Sequence, residues 1–112
     1  MSMYEEPLSV SIVRHDFGIF FDRVRWLYNL SFFKEEKGYR AEAVKKYADE
    51  LFEANRISDY IHSIIGEAIE KFTLLSPVKL KEMNPDKLRM LSQWINISIS
   101  DINGEISELM SK

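Results

Sequence analysis

The stretch Asp16–Lys37, DFGIFFDRVRWLYNLSFFKEEK, limits what this chain can fold into more than any other. At about 100° per residue it is a helix whose apolar side chains gather into two stripes, not one. Phe17, Phe20, Phe21, Val24, Leu27, Tyr28 and Phe32 share one face. Ile19, Trp26, Leu30 and Phe33 lie on a second, roughly 150–180° around the same wheel. Asp22, Arg25, Asn29 and Glu36 separate the stripes on one side, and Arg23 and Lys34 on the other. A helix covered on one face by its own chain needs only one stripe. The second asks for another partner, so Ile19, Trp26, Leu30 and Phe33 are the candidate binding residues. A second copy of the chain across a two-fold axis would bury them in a homodimer, and a different protein could do the same. The intrachain alternative is that residues 1–15 fold back over the stripe through Leu8, Val10 and Ile12.

Read from the N-terminus, Leu8, Val10 and Ile12 alternate with Ser9 and Ser11, which predicts an extended arm or short strand over 1–15. Asp16 then serves as N-cap of the first helix, and Gly38 as the residue that ends it. The second helix spans about 40–75 on the apolar series Val44, Tyr47, Leu51, Ala54, Ile61, Ile65, Ala68, Phe72 and Leu75. A break near 55–58 is an alternative to the continuous or mildly bent helix that the series favours. Ser76-Pro77 and Asn84-Pro85 each pair a capping residue with proline at the first helical position. The first predicts a single helical turn over 77–83. The second opens a last helix over about 85–110, with Leu88, Leu91, Ile95, Ile99, Ile102, Ile106 and Leu109 on one face. Its rival is a hairpin, because Ile95, Ile97 and Ile99 alternate with polar residues before Asn103-Gly104. The helical series runs on while the alternation loses phase at Asp101. The predicted fold is therefore all-α: one domain over 16–112, a bundle of three long helices with a short turn helix and an N-terminal arm.

The totals narrow the function classes. At 112 residues with 46% hydrophobic and 29% charged side chains, the chain is one globular domain and not a disordered one. A net charge of −3 gives no general attraction to nucleic acid or to anionic membrane, and neither is expected as a partner. The absence of cysteine excludes disulfides, thiol chemistry and cysteine-ligated zinc. No stretch has membrane-spanning length and the first residues do not form a signal peptide, so a cytoplasmic location is the default expectation.

Four patterns bear on catalysis. Asp59-x-x-His62 puts two ligand types on one helical turn, but no third or fourth group is paired to them by spacing, so no metal site is assigned. Glu50-x-x-Glu53 and Glu67-x-x-Glu70 resemble the paired acidic motifs of all-α nucleotide pyrophosphatases of the MazG type, which imply magnesium held between two facing helices. The fourth acid is Glu70 where that family has aspartate, and pairs on one continuous helix could not converge on one ion. Arg56 and His62, with Asn55 beforehand, fall within the Arg-x(4–6)-His spacing of HEPN ribonucleases, and IIGEAIEKF over 64–72 resembles a segment of nucleotidyltransferase-associated HEPN proteins. That family's Arg–His pair follows this segment, whereas no histidine occurs after His62. Finally, His62 with Gly66 one turn later resembles a histidine phosphotransfer site, without the lysine that usually lies between.

The reading that follows is a non-enzymatic interaction or assembly module working as a homodimer, without cofactor or metal. A degenerate HEPN-like nuclease or antitoxin-type partner, or a phosphotransfer domain, is the alternative. A nuclease would need Arg56 and His62 together in a cleft, and a phosphotransfer domain would need His62 alone on an open surface.

Overall fold

The computed structural model describes residues 8–32, 41–74 and 84–111, and every element among them is an α-helix. These are α1 (Leu8–Phe32), α2 (Ala41–Glu53), α3 (Asp59–Leu74) and α4 (Pro85–Met110). The all-α bundle read from the periodicity is therefore the fold, with three long helices and a shorter one. The short helix is α2, of 13 residues. The turn helix expected over 77–83 and Gly38 lie outside the described residues.

The start of α1 corrects two expectations. Residues 8–15 are helical, not an extended arm, and they continue into the long helix without a break. The reason is a 3-4 spaced series, Val10, Val13, Phe17, Phe20, Val24 and Leu27, all buried. That series outlasts the short alternation at Leu8, Val10 and Ile12. Asp16 is consequently not an N-cap. It is a buried carboxylate inside the helix, accepting hydrogen bonds from Ser92 Oγ and from Asn96 Nδ2, the latter at 3.2 Å. Its burial is tolerated because both donors come from α4, so it serves as a polar clasp between the first and last helices.

The helix favoured over 40–75 is instead two helices that turn between Glu53 and Asp59. Asn55 takes φ of 59°, the left-handed region, and the chain cannot continue an α-helix through it. The Asn55 amide donates to the Phe52 carbonyl at 3.0 Å and the Arg56 amide to the Leu51 carbonyl at 2.9 Å, the two bonds of a Schellman cap. Ser58 then starts α3, its Oγ accepting from the Ile61 amide at 3.2 Å and Asp59 standing in the first turn. Buried Ile57 anchors the turn to the core.

α4 forms as its sequence predicts. Asn84 is the N-cap, its side chain accepting from the Asp86 amide at 2.8 Å, with Pro85 following. The helix runs unbroken to Met110, so no hairpin forms around Asn103-Gly104. Leu88, Ile95, Ile99, Ile102 and Ile106 are its buried row.

The most extensive packing in the molecule is α1 on α4, followed by α2 on α3 and α1 on α2. Where α1 meets α3, Phe72 lies 5.5 Å from Phe17 and 5.1 Å from Phe21 between ring centroids. Where α1 meets α2, Tyr28 stacks on Tyr47 at 4.2 Å. Each such aromatic pair contributes about 0.5–1.5 kcal/mol beyond the area it buries. The bundle is elongated, with principal extents of 49 × 25 × 20 Å.

Candidate interaction surface

The second stripe of α1 is only partly free. Ile19 and Leu30 are half-buried against the edge of the core, whereas Trp26 is 46% exposed. Phe33 lies outside the described residues. Because residues 8–15 extend α1, they cannot fold back over the stripe. They lengthen it instead: Ile12, 46% exposed, lies seven residues before Ile19 and on the same side of the helix.

α4 carries exposed apolar side chains that the sequence reading did not single out. Met90 is 65% exposed and Ile97 63%. In the sequence Ile97 stands out only as part of the strand-like alternation. On a helical wheel it falls opposite the buried Leu88–Ile95–Ile102 row, which is the signal that could have found it. Beside it a hollow of about 500 Å³ opens between α1 and α4, with Ile12, Leu88, Gln93 and Ile97 in its wall. The structure thus brings Ile12 and Ile97 to one place, and leaves Trp26 fourteen residues further along α1.

The groups considered for catalysis are distributed differently. His62, in the first turn of α3, bonds through Nε2 to Asp49 Oδ1 of α2 at 2.9 Å and stacks on Phe52 at 4.3 Å between ring centroids. Its flanking Ile61 and Ile65 are buried, and its own side chain is about one-third exposed. Arg56 is exposed on the turn before α3. The two acidic pairs do fall on separate helices, Glu50 and Glu53 on α2 and Glu67 and Glu70 on α3, which corrects the single-helix expectation. They do not converge. Glu50 accepts a hydrogen bond from the Tyr28 hydroxyl of α1, while Glu67 and Glu70 line an α2–α3 groove of about 720 Å³ with Lys45, Asp49 and His62. Among the described residues, no three His, Asp or Glu side chains are placed to hold a metal ion.

Electrostatics single out one buried group. Burial, and then the hydrogen bond to Glu50, push the Tyr28 hydroxyl up from 10.0 to about 12. It stays protonated and acts as a structural donor between α1 and α2. Tyr60 is also raised, chiefly by its hydrogen bond to Asp101 at 2.9 Å, which ties α3 to α4. Among the described residues, no helix is long and apolar enough to cross a membrane.

No protein-family model, curated protein or solved structure matches the chain, and its functional reading rests on geometry alone.

Proposed function

We propose that this protein is a non-enzymatic assembly module that associates with a second copy of itself through exposed apolar side chains of α1 and α4. The observation that carries the reading is the exposure of Ile12, Trp26, Met90 and Ile97, four large apolar side chains each about half or more in water. A small domain with a well-filled core gains nothing internally from keeping them there. Covering a fully exposed side chain of this size is worth roughly 1.5–3 kcal/mol. Partial burial of several can offset the several kcal/mol of lost association freedom. Of the stripe first read from the sequence, Trp26 is the most exposed member among the described residues, since Ile19 and Leu30 already lean on their own core.

The polar groups support this reading less directly. His62 is engaged by Asp49 and Phe52 in joining α2 to α3, which gives it a packing role. The test is the mass in solution. Light scattering over roughly 10–200 μM should show a monomer–dimer equilibrium shifting toward dimer with concentration. A monomer throughout that range overturns the proposal.

A further inference from the structure

We infer that the second copy docks along the outer face of α4, antiparallel to it, with the two-fold axis passing at Ile97. The inference rests on the self-association reading above and gives it a register.

Met90, Ile97 and Gly104 succeed one another at intervals of seven residues, so they form one line on α4 opposite its buried row. Met90 and Ile97 project into water from that line. Gly104 is its gap: a Cβ there would meet nothing within 4 Å. Glycine is a poor helix former, and among the described residues no close approach calls for one at this interior position of α4. A two-fold axis at Ile97, the midpoint of the line, sets Ile97 against its own copy. The same rotation seats Met90 over the partner's Gly104 at both ends. One operation thus matches a large exposed side chain with a missing one.

Charge selects the occupant and its direction. Before Met90, α4 carries Asp86, Lys87 and Arg89, a net of +1; from Asp101 onward it carries Asp101, Glu105 and Glu108, a net of −3, with no Lys or Arg through Ser111. An antiparallel copy lays the positive start of each helix against the acidic end of the other, and the helix dipoles add in the same sense. A parallel copy would set acid against acid.

The area agrees with a reversible dimer. At about 1.5 Å per residue α4 presents a face about 39 Å long and roughly 10–12 Å wide, on the order of 400–450 Å². The rim at the Ile12 hollow brings each copy to about 500 Å², so the pair reaches the ~1,000 Å² at which specific interfaces begin.

Because the chain contains no cysteine, a single introduced thiol reports the register without background. Under mild oxidation Ile97→Cys should give a disulfide-linked dimer, since the axis brings the two copies of that position within disulfide reach. Ile97→Glu should be a monomer by light scattering at about 200 μM with an unchanged circular dichroism spectrum. Gly104→Leu should raise the dissociation constant at least tenfold, because it fills the seat of Met90. Cross-linking through Trp26→Cys in place of Ile97→Cys, or a dimer that persists in Ile97→Glu, overturns the α4 register and leaves self-association standing. A wild-type monomer at every concentration overturns both. The cross-linking readout does not depend on the glutamate variant being folded.

Discussion

Asn55 is the residue on which the arrangement of α2 and α3 turns. A side chain at φ of 59° pays a steric cost that glycine avoids and a β-branched residue suffers most. Asn55→Gly should leave stability unchanged or raise it by up to about 1 kcal/mol, whereas Asn55→Val should lower it by about 1–2 kcal/mol. Chemical denaturation of the two variants checks the order. Tyr28 makes a different demand, on pH. Its hydroxyl ionises near 10 in the unfolded chain and at about 12 in the fold. The folded state therefore keeps a proton that the unfolded state gives up in this window. The stability this contributes is whole below pH 10 and is lost as pH rises toward 12. Between pH 9 and 11.5 the wild-type Tm should fall more steeply than that of Tyr28→Phe. Parallel curves would mean that the Tyr28 hydroxyl is neither buried nor bonded to Glu50 in solution.

At the scale of the element, legibility depended on whether a signal was local. The start of α4 was readable because Asn84 and Pro85 act within one turn of themselves. Asn84→Ala should cost about 0.5–2 kcal/mol, seen as a lower Tm, since the Asp86 amide loses its acceptor. The start of α1 is obscured in the sequence by three alternating residues, although a 3-4 series begins at Val10 and runs through the predicted boundary. The α2–α3 turn was hard to read for another reason. Residues 54–58, ANRIS, contain neither glycine nor proline, and the apolar series continues in phase on both sides. What stops the helix there is a left-handed asparagine followed by a serine cap. Each is a common residue whose role shows only once the backbone has turned.

At the scale of the molecule, the two apolar stripes of α1 meet the rest of the chain unequally. α4 takes one flank of α1 and holds Asp16, α2 and α3 take another, and the remaining line is left with Ile12 and Trp26 in water. The candidate surface was therefore half legible. Trp26 could be found from α1 alone, and Ile97 and Met90 from their place opposite the apolar row of α4, but that Ile12 and Ile97 meet at one hollow shows only in the fold. Asp16 was equally out of reach, because its partners Ser92 and Asn96 lie more than seventy residues away in sequence.

That separation has a kinetic consequence. Helical bundles fold quickly when their contacts are local, yet here the largest packing interface joins the first helix to the last. The α2–α3 hairpin closes over a five-residue turn and can form early. The chain must then close a loop of more than seventy residues before Val13 and Asp16 meet α4. Folding should be rate-limited by that docking, so conservative truncations at buried positions of the α2–α3 hairpin, such as Ile65→Val, should slow folding. Truncations on α4, such as Ile95→Val or Ile102→Val, should chiefly speed unfolding. Stopped-flow folding and unfolding rates for the three variants decide the matter, and a folding rate that responds mainly to the α4 changes would reverse the order. During synthesis the same topology keeps buried Val13 and Asp16 without their α4 neighbours until that helix emerges, which makes α4 the step that commits α1.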